Sequence, residues 1–171
     1  MKKLMNLSFV LNLIILAFSC QQGTIQSEQK CCLTSEDSMT IVNEITAVID
    51  DWIQANKNRD IEKCTAFWDS SPDFMLAENG MQYANWDSLY VVIKEWYSQP
   101  LESIEFDIEK RSILPLTPEV AHIFCKMSFR TNFSSGDVFQ SRGFLTLLAV
   151  KKDGNWKMLR GHESTIITGN D

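Results

Sequence analysis

The sequence predicts an α+β domain, with three helices in its first part packed on one face of a sheet made by its second part. Apolar residues recur at helical spacing between residues 39 and 98, and at strand spacing beyond residue 103. The segment 143–150 is apolar on both faces, so the sheet containing it must be covered on both sides. Asp153-Gly154-Asn155, between two apolar runs, supplies the left-handed backbone of a tight reversal and makes 138–150 and 155–167 a long antiparallel hairpin.

Taken in order, the chain opens on a secretory pattern, residues 1–19. Lys2 and Lys3 precede an apolar core, 7–18, broken only by Ser8 and Asn12 and too short to span a bilayer comfortably as a helix. The segment ends Leu16-Ala17-Phe18-Ser19-Cys20 and resembles a bacterial lipoprotein signal, in which the cysteine is lipidated and becomes the mature N-terminus. Ala17 stands where such signals usually carry leucine, and Ala17-Phe18-Ser19 also satisfies the small-x-small rule of ordinary secretion. The expectation is a bacterial cell-envelope protein held to the membrane by lipid on Cys20, the alternative a secreted or periplasmic soluble one. Residues 20–38 are polar and aperiodic, a flexible tether on which Cys31 and Cys32 read as exposed thiols.

The folded domain is expected over 39–168. Ile41, Ile45, Val48, Ile49 and Trp52 mark a first helix, 39–56, which Ser38 or Thr40 can cap. Asp60 caps a second, short helix carrying Ile61, Cys64, Phe67 and Trp68, with both Cys64 and Cys125 read as core. Ser70-Ser71-Pro72-Asp73 stops that helix, 74–78 is a short strand, and Asn79-Gly80 turns into a second extended piece, 81–84. Leu89, Val92, Ile93 and Trp96 mark a third helix, 86–98, with Asn85 as cap and Pro100 beyond its end. Strands follow over 103–114, 119–132, 138–150 and 155–167.

Strand parity divides the sheet into two surfaces. Ala121, Ile123, Cys125, Met127 and Phe129 face the helices, together with Leu145, Leu147, Ala149, Leu159, Gly161 and Glu163. His122, Lys126, Arg160 and His162 face the other way; a β-bulge would reverse these assignments beyond it. Phe124, Phe144, Leu148, Trp156 and Met158 then form an outer apolar patch, which predicts a homodimer through the open sheet face. The net charge of −6, with no basic run, argues against nucleic acid as a partner. Lipid on Cys20 would anchor the protein without a basic patch.

Trp52-x-x-Ala55 ahead of Asn58-x-Asp60, then Phe67, Phe74 and Gly80, and above all the run 153–158 followed by His162-x-Ser164, resemble the nuclear transport factor 2 superfamily. The resemblance covers about residues 39–168 and is closest to the SnoaL-like and kinase-association-like branches. It implies a cone: three N-terminal helices packed on a strongly curved, mainly antiparallel sheet around a pocket, with the opposite sheet face often making a dimer. Ketosteroid isomerases share that fold, and residues 93–98 resemble their third helix. The resemblance puts Tyr97 on a pocket tyrosine, Trp52 in place of the oxyanion-binding tyrosine, Leu76 in place of the proton-shuttling aspartate, and Met127 near the second acid. In the kinase association domain, pocket arginines fall near Met127, Leu147 and Glu163, none of which is arginine here.

The expected pocket is therefore touched by Trp52, Tyr97, Met127 and Leu147, with Glu163 near its mouth. Glu163 is the one acid expected to point inward from the last strand; against Met127 and Leu147 its pKa would be raised, as a general base requires, and it equally fits a solvated mouth. His122 and His162 lie on the opposite face and read as interface or structural residues, while Asp69, Asp73 and Asp87 sit where capping explains them. No phosphate-cradling loop, nucleophile elbow, zinc signature or haem motif is present, so neither cofactor nor metal is expected. The expected function is a non-catalytic binder of a small apolar or amphipathic ligand. The alternative is a cofactor-independent isomerase, lyase or cyclase of the SnoaL and ketosteroid-isomerase type, using Glu163, Tyr97 and the Trp52 N–H. Leucine at position 76 cannot move a proton, which favours the binder.

Overall fold

A computed structural model describes residues 33–168; the secretory segment, Cys20, Cys31 and Cys32 lie outside them. Helix α1 (Ser35–Asn58) starts earlier than its apolar stripe, inside the span read as tether. A reciprocal capping box explains the early start: Asp37 N donates to Thr34 Oγ1 at 3.1 Å and Thr34 N donates to Asp37 Oδ2 at 3.0 Å. The helix ends at Arg59, whose backbone is left-handed at φ 56°. Asp60 caps α2 (Ile61–Ala66) and Asn85 caps α3 (Trp86–Tyr97), each accepting from the backbone N–H three residues on.

Six strands follow or interleave: β1 (Met75–Glu78), β2 (Met81–Tyr83), β3 (Leu101–Thr117), β4 (Val120–Phe133), β5 (Val138–Lys152) and β6 (Asn155–Ile167). Asn79-Gly80 and Asp153-Gly154 each have positive φ at both residues, the mirror-image turn whose twist matches the strands it joins. β1–β2 and β5–β6 are the two hairpins that result.

The α+β class stands, but the cone does not. The sheet runs β2-β1-β6-β5-β4-β3, an open ladder whose end strands β2 and β3 do not pair, so it is neither closed nor strongly curled. β2 has three residues, too few to carry a closing ladder to the seventeen-residue β3. One pairing in the sheet is parallel, β1 with β6, Met75↔Arg160 through Glu78↔Glu163. The result is an open mixed sheet flanked by helices.

The inner surface carries the core. Ile41, Ile45 and Ile49 of α1 pack in one cluster with Ile123, Cys125, Leu145 and Leu147 of the sheet. Arg111–Asp50 (2.6 Å) and Lys151–Glu44 (2.7 Å) tie α1 to the strands it crosses, half-exposed pairs that each contribute about 0–1 kcal/mol. Trp156 Nε1 also donates to Glu44 Oε2 at 2.7 Å.

Trp156 and Met158 are buried on the inner side, not on the outer face. The β5–β6 register shifts between Leu148 and Ala149, leaving Leu159 as an extra residue, so Ala149 faces Met158 where Leu147 faces Gly161. The bulge reverses parity for Trp156 and Met158 and leaves it unchanged for Arg160 to Ser164. The outer face keeps Phe124, Phe144 and Leu148, with His122 and His162 exposed among them.

Candidate functional site

Two cavities of similar size open on the domain. One, about 300 Å³, lies between α2 and the β5–β6 turn, and its polar groups are spent on one another. Lys152 Nζ meets Asp69 Oδ2 at 2.8 Å, Lys157 Nζ donates to the Ala66 carbonyl, and Trp86 Nε1 donates to the Thr65 carbonyl at 3.1 Å. The other, about 310 Å³, lies between α1, α3, the β1–β2 hairpin and the inner sheet face, and holds polar groups that are not spent. It is the candidate site.

Trp52, Tyr97, Met127 and Glu163 all line this cavity. Leu147 does not. It is buried beneath the wall because Gly161 has no side chain: a Cβ there would stand 2.7 Å from Leu76 Cδ1 and 3.0 Å from Leu147 Cδ2. Those two leucines pack over the glycine and belong to the core.

The aromatic residues do different jobs. Trp52 is clamped, stacked on Phe67 at 4.3 Å and edge-on to Phe106 at 4.9 Å, and its indole N–H has no hydrogen-bond partner, only the weakly accepting Cys64 sulfur nearby. Trp96 packs edge-on against Phe133 and Phe139, and its N–H is also unpartnered. The Tyr97 hydroxyl donates to Asn56 Oδ1 at 3.0 Å, and burial holds it neutral by pushing its pKa far up. Tyr97 is thus a positioned wall residue whose proton is committed.

The acidic end lies where β1 meets β6. Glu78 lines the cavity beside Glu163, its register partner, and Tyr83 lines it from β2. Burial first, and the Glu78 charge second, raise the Glu163 pKa to about 8. Burial raises Glu78 as well, opposed by the Tyr83 hydroxyl, which lies beside its carboxyl in a loose contact. Tyr83 itself is pushed up to about 12, by burial and then by Glu78. Asn79 holds the strands at this end: Thr165 N donates to its Oδ1 at 2.9 Å, and its Nδ2 donates to Thr165 Oγ1 at 2.6 Å. Among the described residues, no group of three or more histidine, cysteine or acidic side chains is placed to hold a metal ion.

Sequence reasoning missed Glu78 and Tyr83. Glu78 belongs to a strand too short for parity to orient, and its neighbour comes from a parallel pairing that no local pattern announces. The one available sign was an acid directly before the Asn79-Gly80 turn, in a strand bearing Leu76 at the family's proton-shuttling position.

A family model described as a SnoaL-like domain matches residues 45–168. The chain belongs to the SnoaL-like family. Likeness to solved structures shows the same fold. This SnoaL-like domain is similar to a candidate scytalone dehydratase from Novosphingobium aromaticivorans, with TM-score 0.73 and 13% identity over 81% of this chain and 93% of that one. It is similar to an NTF2-like superfamily protein from Salmonella enterica, with TM-score 0.67 and 15% identity over 77% of this chain and 95% of that one. It is also similar to a type 2 hexachlorocyclohexane dehydrochlorinase, with TM-score 0.66 and 10% identity over 81% of this chain and 95% of that one. At such identities these structures share the fold alone. No curated protein matches the sequence.

The site makes stability depend on pH. Folded, Glu163 keeps its proton up to about 8; unfolded, it loses it near 4.5. Between those values the native state binds more protons, so stability falls as pH rises, by up to about 1.4 kcal/mol per pH unit, and the full penalty stands above the upper value. Glu163→Gln in the SnoaL-like domain should remove this slope. Urea melts across the interval should show wild type losing ground to the variant; parallel curves would mean that Glu163 titrates normally.

Proposed function

We propose that this SnoaL-like domain is a cofactor-independent lyase or isomerase that moves a proton on a small, neutral, apolar or amphipathic substrate. The observation that carries this reading is a carboxyl with a folded pKa of about 8 opening on an apolar cavity of about 310 Å³. Acid–base catalysis works best when the catalytic pKa lies near the working pH, and burial is how a glutamate is brought there. Nothing in a plain binding pocket calls for a desolvated acid. Two of the similar structures are named for eliminations, a dehydration and a dehydrochlorination, which supports a lyase over a binder. The lining, which contains no lysine, arginine or histidine among the described residues, argues against an anionic substrate. An anion would enter beside two acids and find no counter-charge.

The test needs no natural substrate. Neutral cyclic ketones in heavy water, followed by NMR, report removal of an α-proton as deuterium uptake. Wild type should accelerate uptake in those that fit, and Glu163→Gln should lose about 10²–10⁴ of that rate. Uptake unchanged in the variant would remove Glu163 from the chemistry. A wild type that accelerates none of the ketones would leave a ligand-binding protein.

We propose also that the domain is tethered to a membrane of the bacterial envelope by lipid on Cys20. The support is the apolar segment ending at that cysteine and the polar stretch behind it; among the described residues no helix is long and apolar enough to cross a membrane. Cys20→Ser should move the protein from the membrane fraction to the soluble one. A variant that stays with membranes, beside a wild type that incorporates no labelled acyl chain, counts against the anchor.

Pairing of two copies through the outer sheet face is part of the same proposal. Phe124 and Phe144 stack there at 5.5 Å, and Phe144 and Leu114 are 50% and 57% exposed. Phe144→Glu should convert dimers to monomers in sedimentation, since the new charge would be buried without a partner. A wild type that sediments as a monomer at micromolar concentration removes the dimer.

A further inference from the structure

The parallel register sets Glu78 directly beside Glu163, one strand spacing or about 4.8 Å apart at the backbone, and both carboxyls open on the same cavity. With no cation in the lining, the two cannot both ionise cheaply in an apolar wall. The other titratable groups facing them are Tyr83 from β2 and Tyr97 from α3; α1 and strands β3 to β5 line the cavity with no charged side chain. Tyr97 is occupied with Asn56, which leaves Tyr83 as the titratable hydroxyl able to bias the pair.

The bias has a direction. The hydroxyl of buried Tyr83 lies beside Glu78 and favours its ionised form, whereas burial and the neighbouring acid both raise Glu163. We propose that Glu78 and Glu163 share one proton, carried by Glu163 as the acid, with Glu78 as the base and Tyr83 as the positioning residue that fixes this division. The chemical roles rest on the proton-transfer reading given above, and they move the base from Glu163, where the sequence suggests it, to Glu78.

The step balances. On a substrate bearing an acidic C–H next to a carbon that carries a hydroxyl, Glu78 takes the proton and the C–H electron pair becomes the new C=C bond. The C–O bond breaks, and Glu163 gives its proton to the departing hydroxyl, which leaves as water. Glu78 then holds a proton and Glu163 is ionised; one proton crossing between the paired carboxyls restores the starting state. Because both groups stand on one wall, proton removal and delivery occur on the same face of the substrate.

Carboxyl titrations followed by NMR on the purified protein, carrying ¹³C in its glutamate side-chain carboxyls, test the pairing without any substrate. Wild type should show two coupled steps, the upper one absent in Glu163→Gln and lowered by about one unit in Glu78→Gln. Tyr83→Phe should raise the lower step and thereby narrow the gap, an effect that loss of packing alone does not produce. If the upper step survives in Glu163→Gln, the proton sits on Glu78 and the assignment is overturned. An upper step unmoved in Glu78→Gln overturns the coupling. Should Glu78→Gln fail to fold by circular dichroism, Tyr83→Phe decides alone, and unchanged carboxyl titrations in it refute the proposal. Coupled titration in a protein without turnover would sink the enzymatic reading and keep the pair; turnover with independent titrations would do the reverse.

Discussion

The parallel pairing of β1 with β6 is the contact on which the candidate site depends. It covers four register pairs, Met75↔Arg160 to Glu78↔Glu163, and is held at both ends. Before it, Trp68 bridges Met158, with Asp69 N donating to the Met158 carbonyl at 2.9 Å. After it, the Asn79 side chain grips Thr165 through two hydrogen bonds. A slip of one residue would turn Glu78 out of the cavity and Ala77 into it, because side chains alternate along a strand. The clamp therefore sets the electrostatics of the cavity as well as the shape of the sheet edge.

Around that pairing the domain keeps polar groups in poor surroundings. Two carboxyls are raised by burial, and two indole N–H groups lack acceptors, at Trp52 and Trp96. Each is unfavourable for folding, and all four groups stand in one cavity. The compensation lies elsewhere: the Thr34–Asp37 capping box, the isoleucine face of α1 on the sheet, and the Trp52–Phe67–Phe106 aromatic cluster. Gly161 links the two regions. Its missing side chain leaves room for Leu76 and Leu147, whose side chains a Cβ there would meet.

The site was half legible. Parity along β4 and β6 puts Met127 and Glu163 on the helix side, and family resemblance puts Trp52 and Tyr97 across from them; the cavity lining includes all four. Leu147 shares the parity of the lining and still falls outside it, packed over Gly161 in the core. Glu78 and Tyr83 were invisible for a different reason. Short strands carry too few residues for periodicity to orient, and the partner of β1 lies at the far end of the chain.

By itself the sequence determined whatever depends on neighbours along the chain. Helical spacing placed α1, α2 and α3, and caps placed the starts of α2 and α3 but not of α1, which Thr34 caps ahead of the expected Ser38 or Thr40; the Asn79-Gly80 and Asp153-Gly154 turns placed two hairpins, and alternation oriented β4 and most of β5, because these signals act over a few residues. Tertiary structure decided what depends on distant partners. It left the sheet open where a cone was expected, since three-residue β2 cannot close a ladder to β3. It turned Trp156 and Met158 inward through a bulge at Leu159 that is defined only by the opposing strand. And it set one glutamate beside another, so that the acid visible in the sequence became half of a pair: a pKa belongs to the surroundings of a group, and those are assembled only when the chain folds.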